Sequence, residues 1–193
     1  FSSGKTRLVI LLEKLLGLIT SRFVVIGNVV KEDLVRAGIA KDSKFEVVYP
    51  GLQDLDKYPH ADAQKALGLD QSKKYLVFVG RLTTIKRPER LLDLARCLKD
   101  KHPECWLLIA GAGELQELLI AQAEKEELPI TFLGWRKDIG MILSASDIAV
   151  LCSDNEGIPL TLIQASQAGL PIVSTDVGSV SDIIDLRFEL RDF

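Results

Sequence analysis

The chain has 193 residues, of which 47% are hydrophobic and 26% are charged, and its formal net charge is -3 at pH 7. This composition supports a buried core and excludes a disordered chain. No block of basic residues occurs, so a nucleic acid partner is not expected. The length suits one large domain, or one domain with part of another.

The first 52 residues have a pattern of their own. An amphipathic helix is predicted at about 5–20, followed by the strand FVVIG, the helix KEDLVRAGI and the strand FEVVYP. Because Glu13 and Lys14 interrupt the first helix, it falls short of the ~18 apolar residues that span a bilayer, and peripheral membrane contact is left open. Gly and Pro then indicate a linker at about 51–62. We interpret 1–52 as the tail of one α/β domain and 53–193 as a second domain.

Apolar segments of strand length alternate with amphipathic segments from Tyr75 onward. The predicted strands are YLVFVG (75–80), WLLIAG (106–111), ITFLGW (130–135), IAVLCS (148–153) and PIVST (171–175). Strands that are apolar on both faces and alternate with helices predict a parallel sheet covered on both sides. The fold class is therefore α/β, with a doubly wound, Rossmann-like sheet.

Three cysteines, Cys97, Cys105 and Cys152, are far apart in the sequence. Their odd number and the lack of a CxxC pair argue against a disulfide framework and against zinc. Each has apolar neighbours in the sequence, so we expect buried free thiols and a reducing compartment, the cytoplasm. No cluster with metal-ligand spacing is present, and no metal is expected.

The segment GAGELQ at 111–116 follows a predicted strand and opens a helix. It is similar to a dinucleotide-binding fingerprint, but Gln116 occupies the third glycine position and the next strand does not end in an acidic residue. A nicotinamide or flavin dehydrogenase is therefore disfavoured. The two glycines either make a plain tight turn or line a ligand cleft.

Two cations follow the predicted strand that ends at Gly80. Arg81 and Lys86 are five residues apart in the segment GRLTTIKRP. Open α/β sheets bind ligands at the carboxyl ends of their strands. A planar guanidinium and a mobile ammonium together suit a diphosphate. The alternative is two solvated surface cations.

The segment from 153 to 179 carries the strongest signal. Its predicted strand ends in an acidic turn, and Gly157 and Pro159 precede a helix whose first amides form an anion site. Glu156 lies just before these amides, and its carboxylate can accept hydrogen bonds from sugar hydroxyls. A helix cap is the alternative role for Glu156. Gln164 lies eight residues later, about two turns along the helix.

Four segments, taken together, resemble glycosyltransferase family 4, which is part of the glycosyl transferases group 1. KFEVVYPGLQ resembles the family's crossover from the acceptor domain to the donor domain, and FVGRLTTIKRPERLL resembles its diphosphate-binding turn. ITFLGWRKDI is similar to its nucleobase segment, and NEGIPLTLIQASQAGLPIVSTDVGSVSDII to its signature region. The resemblance covers nearly the whole chain and implies the two-domain GT-B fold. Residues 53–193 would then be the donor domain, and 1–52 the tail of the acceptor-side domain.

The resemblance implies a retaining hexosyltransferase in polysaccharide biosynthesis, which takes a nucleotide-sugar donor and no cofactor. The donor is expected to be UDP-linked, and the acceptor a glycan or a lipid-linked molecule, in the cytoplasm or at the inner face of the cell membrane. Arg81 and Lys86 would neutralise the diphosphate, and Glu156 would bind hydroxyls of the transferred sugar. The other expected donor contacts are Gly80, Trp135, Arg136, Gly157, Ile158, Leu160, Thr161 and Gln164.

Two departures from the family pattern matter. Gln164 stands where the family has a second glutamate, which is expected to hold the ribose. Charged hydrogen bonds contribute about 1.5–3 kcal/mol and neutral ones about 0.5–1.5, so donor affinity would fall about fivefold. Most of the acceptor domain is absent from the sequence, and DLRFELRDF after Ile184 does not resemble the usual continuation. The chain alone is therefore expected to be inactive, and the alternatives are a degenerate nucleotide-sugar-binding domain and a GT-B sugar-nucleotide epimerase.

Overall fold

The computed structural model describes residues 3–183, and DLRFELRDF at 185–193 lies outside the described residues. The chain separates into two compact units. Among the described residues, the small unit comprises 3–51, 156–158 and 178–183, and the large unit comprises Leu52–Asn155 and Pro159–Val177.

The small unit begins with a helix, a strand, a second helix and a second strand. These elements are α1 (Ser3–Ile19), β1 (Phe23–Val25), α2 (Asn28–Arg36) and β2 (Phe45–Val47). The two strands pair in parallel, with Phe23 opposite Phe45, and the rings of these residues stack with their centroids 4.9 Å apart. This is the α/β arrangement that the sequence predicts for the first part of the chain.

Helix α1 is far more exposed than the expected amphipathic helix. Among its side chains that the structure describes, the large apolar ones are mostly more than half exposed: Leu8, Val9, Leu11, Leu12, Leu15, Leu16, Leu18 and Ile19. At 3.6 residues per turn these side chains lie within about half of the helix circumference, so the helix has the broad apolar face that the sequence predicts, but that face is exposed rather than buried. A helix of this kind is usually covered by another layer of protein. Over the part of the chain that the structure describes, none of the helices has the length and apolar continuity that a bilayer crossing requires.

The large unit is built on a parallel sheet. Its strands are β3 (Lys74–Val79), β4 (Cys105–Ala110), β5 (Ile130–Gly134), β6 (Ile148–Leu151) and β7 (Ile172–Ser174). The strand order is β5-β4-β3-β6-β7, so the chain adds two strands on one side of β3 and then two on the other. The order reverses between β3 and β6, which is the switch point of a doubly wound sheet. The predicted parallel sheet is confirmed.

Helices connect these strands and cover the sheet. They are α4 (Glu89–Lys101), α5 (Gln116–Lys125), α6 (Ile139–Ser144) and α7 (Leu160–Ala168), with α3 (His60–Ala66) before β3. Burial is complete at the centre of the sheet, where Phe78, Leu107 and Leu108 are 0% exposed. Neighbouring residues of one strand point to opposite faces, so full burial of Leu107 and Leu108 means that both faces are covered.

One expectation about local structure is wrong, and one helix was not predicted. The predicted linker at about 51–62 contains no helix or strand from 51 to 59, and α3, which the sequence pattern does not predict, begins at His60. The helix buries Ala63 and Gln64, a small residue and an amide, and so gives little apolar signal. Cys97 is exposed, because α4 buries Ala95 and Leu98 and thereby turns Cys97 away from the core, whereas the free thiols Cys105 and Cys152 are partly buried.

Candidate functional site

A pocket of about 200 Å³ lies at the carboxyl edge of the sheet in the large unit. It is formed where β3, β4 and β5 end and their loops meet. Four predicted donor-site residues line it: Gly80, Arg81, Trp135 and Arg136. The remaining lining residues are Val79, Ala110, Gly111, Ala112 and Ile139. Two segments that are more than 50 residues apart in the sequence therefore meet at the carboxyl ends of the strands, which is where open α/β sheets bind ligands.

The floor of the pocket is backbone. The amide of Gly80 donates to the carbonyl of Ala110 at 3.0 Å, and the amide of Gly111 donates to the carbonyl of Gly134 at 2.7 Å. Gly111 has a φ of 151°, and a Cβ on it would lie 1.8 Å from the carbonyl oxygen of Gly80. Only glycine fits there, because the two loops touch through their main chains. Of the two interpretations of GAGELQ, the cleft applies to Gly111, which lines the pocket, whereas Gly113 is not a lining residue and packs tightly on the backbone of Leu82.

The wall of the pocket from the β5 loop is aromatic and polar. Trp135 is 68% exposed, and the Nζ atom of Lys137 lies 5.5 Å from the centroid of its ring. Arg136 donates from Nε to Oδ1 of Asp138 at 2.8 Å and makes a second contact from Nη2 to Oδ2. These hydrogen bonds raise the pKa of Arg136 and lower the pKa of Asp138. Because its charge is already paired, Arg136 is better suited to contact a ligand through its backbone or its planar face.

The two predicted diphosphate cations occupy different positions in the β3–α4 loop. Arg81 is exposed and lines the pocket, whereas Lys86 is not among the lining residues. Lys86 ends a 3₁₀ turn, Thr84–Lys86, and is followed by Arg87 in the left-handed region at a φ of 50°. The carbonyl of Lys86 accepts a hydrogen bond from the thiol of Cys152 at 3.3 Å.

Glu156, Gly157 and Ile158 belong to the small unit. The turn that they form packs on residues 178 and 179: the amide of Ser179 donates to the carbonyl of Gly157 at 3.0 Å. Gly178 has a φ of 56°, and a Cβ on it would lie 1.7 Å from the carbonyl oxygen of Glu156. Sequence reasoning passed over Gly178, although the VGS segment that holds it was part of the predicted signature region.

Leu160, Thr161 and Gln164 belong to helix α7 of the large unit. They share one helix face because Gln164 lies four residues after Leu160 and three after Thr161, and α7 buries the other face through Leu162 and Ala165. Pro159 at the N-cap makes no side-chain hydrogen bond to the helix. That the start of α7 binds an anion stays a prediction.

No group of three or more metal-binding side chains occurs within residues 3–183. The expectation that the protein uses no metal stays a prediction.

Solved structures resemble this chain closely in fold. The crystal structure of Anabaena Alr3699/HepE in complex with UDP-glucose matches it with a TM-score of 0.78 and 23% identity, covering 95% of this chain and 52% of that chain. The structure of WaaG, a glycosyltransferase involved in lipopolysaccharide biosynthesis, matches with a TM-score of 0.75 and 20% identity, covering 84% and 46%. The chain therefore has the Rossmann-like α/β architecture of the GT-B glycosyltransferases, which confirms the predicted fold class.

Sequence relatives define the family. The chain matches the glycosyl transferases group 1 family over residues 60–188. It is 30% identical over 180 residues to the Escherichia coli UDP-Gal:alpha-D-GlcNAc-diphosphoundecaprenol alpha-1,3-galactosyltransferase, covering 88% of this chain and 46% of the relative. It is 32% identical over 171 residues to the D-inositol 3-phosphate glycosyltransferase of Mycobacterium sp. (strain KMS), covering 82% and 38%.

The chain belongs to the glycosyl transferases group 1 family. This confirms the resemblance at the level of the group, whereas the narrower assignment to family 4 stays a prediction. The chain spans less than half the length of these two relatives.

Proposed function

We propose that this chain is the nucleotide-sugar-binding part of a retaining glycosyltransferase. The observation that carries the proposal is the pocket at the ends of β3, β4 and β5, in a chain that belongs to the glycosyl transferases group 1 family. Arg81 supplies the pocket with an exposed cation and Trp135 supplies it with an aromatic ring. A nucleotide sugar presents a base and a dianionic diphosphate in one molecule, and so uses both features.

The proposed roles follow from where charge changes during transfer. Breaking the bond between the anomeric carbon and the diphosphate leaves negative charge on the phosphate oxygen, and cations that face this oxygen stabilise the transition state. Arg81 and Lys86 take this role, assisted by amides of the segment that includes Gly157, Ile158, Leu160 and Thr161. Glu156 accepts hydrogen bonds from hydroxyls of the transferred sugar.

Retention of configuration is proposed to result from attack on the same face from which the diphosphate leaves. In that geometry the departing phosphate oxygen accepts the proton of the acceptor hydroxyl, so that no protein base is required. Trp135 and Arg136 border the base, and Gln164 contacts the ribose. The nucleotide is proposed to be UDP, and the transferred sugar a hexose.

The name of one relative supports the type of acceptor. The E. coli relative is named for transfer to a sugar on diphosphoundecaprenol, which is lipid-linked, whereas the mycobacterial one is named for D-inositol 3-phosphate, which is neither a glycan nor lipid-linked. We therefore propose a glycan or lipid-linked acceptor in polysaccharide biosynthesis, in the cytoplasm at the inner face of the cell membrane. Residues 1–52 are proposed to belong to the acceptor-side domain and 53–193 to the donor domain. Exposed leucines on α1 support this division, because they need a further layer to cover them.

Binding without transfer is the second candidate function, and Gln164 is the observation that favours it. An amide at this position keeps an acceptor oxygen but lacks the charge of the family's glutamate. A site that only binds a nucleotide sugar tolerates the loss of this charge more readily than a catalytic site does, because catalysis requires that the donor is held in a precise position.

The test is calorimetric titration of UDP-, GDP- and ADP-sugars, together with the free diphosphates and nucleosides. Binding of one diphosphate series more tightly than its nucleoside is the expected result, and no binding by any series would refute the proposal. Transfer of labelled sugar to a lipid-linked acceptor then separates an enzyme from a binding module. Rapid transfer by the 193-residue chain would contradict the expectation that the chain alone is inactive.

A further inference from the structure

Two loops at the carboxyl edge of the sheet in the large unit are joined by a group of side chains that the proposed function does not use. Asp154, after β6, faces two guanidinium groups from the region after β3. Its Oδ1 lies 2.7 Å from Nη2 of Arg90, and its Oδ2 lies 3.3 Å from Nε of Arg87. Together with Cys152, these residues form what we term the loop clasp: Arg87, Arg90, Cys152 and Asp154.

Arg90 holds the β6 loop at two points. Its Nη1 donates to the carbonyl of Cys152 at 2.8 Å, while its Nη2 pairs with Asp154. A planar fork can make both contacts at once, whereas a lysine ammonium cannot reproduce this geometry. The backbone adds a third connection, because the amide of Asp154 donates to the carbonyl of Ile85 at 3.0 Å.

The thiol of Cys152 connects the clasp directly to the turn that carries Lys86. Its Sγ lies 3.3 Å from the carbonyl oxygen of Lys86 and 3.4 Å from that of Arg87. Burial raises the pKa of Cys152 to about 11, so the thiol keeps the proton that it donates to these carbonyls. The main chain on both sides of the peptide bond between Lys86 and Arg87 is thus fixed from the β6 loop.

Arg87 shows why this turn needs support. Its backbone lies in the left-handed region, with φ 50° and ψ 48°, which is unfavourable for a residue with a Cβ. Its guanidinium lies between two carboxylates: Nη1 is 3.0 Å from Oε1 of Glu89, and Nε is 3.3 Å from Oδ2 of Asp154, an ion-pair contact in which Nε makes no hydrogen bond. Without these contacts the residue would relax toward an ordinary conformation and change the direction of the preceding turn.

We propose that Asp154 and Arg90 are positioning residues for the donor diphosphate, which hold the turn carrying Lys86 in its binding conformation before the donor arrives. This inference rests on the proposed function. Both side chains are partly exposed, at 49% for Asp154 and 39% for Arg90, so the pair should contribute little to global stability. Its effect lies in local geometry, where a small displacement of a charged group weakens a diphosphate contact strongly.

The clasp should affect how the protein binds the diphosphate of the donor and should not affect how it binds the base. Trp135 reaches the pocket from the β5 loop, and that side of the pocket is fixed by a separate backbone hydrogen bond from Gly111 to Gly134. Loss of the clasp therefore leaves the contacts of the nucleoside in place. A general loss of structure would instead weaken nucleoside and diphosphate equally.

The experiment measures Kd for UDP and for uridine with the wild-type chain and with Asp154→Asn, Arg90→Ala and Arg90→Lys. Each variant should bind UDP about three- to thirtyfold more weakly, with uridine affinity unchanged within about twofold. Arg90→Lys should not restore wild-type affinity, because it keeps the charge but loses the fork. The double variant should lose less than the product of the two single losses, since both act through one contact.

Arg96→Ala is the matched control. Arg96 lies on the same helix as Arg90 and also pairs with carboxylates, Asp93 and Glu126, but it does not belong to the clasp. UDP affinity should not change in this variant. If Arg96→Ala lowers the affinity for UDP as much as Arg90→Ala does, the inference is overturned.

The outcomes separate the inference from the function on which it rests. A wild-type chain that binds neither UDP, GDP nor ADP refutes both, whereas a wild-type chain that binds UDP while the clasp variants bind it equally well refutes only the inference. An equal loss of affinity for UDP and for uridine also refutes the inference.

The clasp itself is tested without nucleotide, in a chain that carries Cys97→Ser and Cys105→Ser so that Cys152 is the remaining thiol. Adding Arg90→Ala should accelerate labelling of Cys152 by a thiol reagent. An unchanged rate would show that the clasp does not hold the loop.

Discussion

The carbonyl oxygen of Gly80 lies so close to Gly111 that a Cβ on Gly111 would be 1.8 Å from it. The amide of Gly111 donates to the carbonyl of Gly134 at 2.7 Å, so the ends of β3, β4 and β5 are connected around Gly111. Since Gly80 and Gly111 both line the pocket, its shape depends on this contact between main chains.

Gly111→Ala should therefore damage the pocket. The new Cβ fits only if the backbone of Gly80 or Gly111 moves, which should lower the free energy of unfolding by about 1–3 kcal/mol. Affinity for UDP should fall at least about tenfold, because the groups around the pocket are displaced. Gly51→Ala is the control, since nothing lies within 4 Å of a Cβ there. Wild-type UDP affinity in Gly111→Ala, measured by calorimetry, would contradict the assignment of this pocket.

Removing either cation of the β3–α4 loop should weaken binding of a nucleoside diphosphate more than binding of the nucleoside. Arg81→Ala and Lys86→Ala should each reduce the binding free energy of UDP by about 1.5–3 kcal/mol, with a much smaller effect on uridine. Rising salt should reduce the difference from wild type, because it screens the charges. Lys65→Ala, an exposed cation on α3, should leave both affinities unchanged. Equal losses for UDP and uridine would argue against a diphosphate role.

Gln164→Glu tests the proposed ribose contact. The substitution restores the family's residue on the partly exposed face of α7, so UDP affinity should rise or stay nearly unchanged. A carboxylate accepts hydrogen bonds from ribose hydroxyls more strongly than an amide does. Calorimetry with UDP and with free diphosphate gives the comparison. A large loss of UDP affinity in a folded variant would mean that the surroundings of Gln164 favour an amide, and the ribose role would be wrong.

The sheet was predictable from the sequence because its strands are buried on both faces. The apolar segment YLVFVG predicts a strand at 75–80, and β3 is found at Lys74–Val79. Helix α3 was missed because it buries Ala63 and Gln64 rather than large apolar residues. Elements that depend on apolar runs are thus visible in the sequence, while an element that is stabilised by polar contacts from elsewhere is not.

Site residues were predictable to the extent that they follow strand ends. Gly80, Arg81, Trp135 and Arg136 come together at one edge because parallel strands end there. By contrast, no local sequence pattern predicts that the backbone of Arg87 lies in the left-handed region, since that conformation is typical of glycine and asparagine. The contacts that accompany it connect residues more than 60 positions apart, and only the folded chain brings them together.

The cysteines should differ strongly in reactivity. The thiolate is the reactive form, and burial raises the pKa of Cys152 to about 11, whereas Cys97 is exposed. A maleimide or disulfide reagent at mildly alkaline pH should therefore modify Cys97 first and Cys152 last, as followed by mass spectrometry of peptides. Cys97→Ser should remove the fast phase. A fast phase that persists and maps to Cys152 would show that this thiol is not enclosed.

Acid should weaken one connection between α4 and α5. Arg96 donates from Nε to Oε2 of Glu126 at 2.6 Å and from Nη2 to Oε1 at 2.8 Å, and Gln122 donates to Oε1 as well. These hydrogen bonds, with that from Arg96 the largest, lower the pKa of Glu126 from 4.5 to about 2. A carboxyl whose pKa is lowered by folding stabilises the fold fully above its unfolded pKa, and this contribution is lost as protons bind at lower pH.

The wild-type free energy of unfolding should therefore fall more steeply than that of Glu126→Gln between about pH 4.5 and pH 2. The amide cannot be protonated in this range, so the variant lacks the acid-sensitive contribution from the start. Arg96→Ala should flatten the curve in the same way, because it removes the principal partner of the carboxylate. Urea unfolding across this pH range measures the difference. Parallel curves for wild type and Glu126→Gln would show that the pairing with Arg96 does not shift the carboxyl in solution.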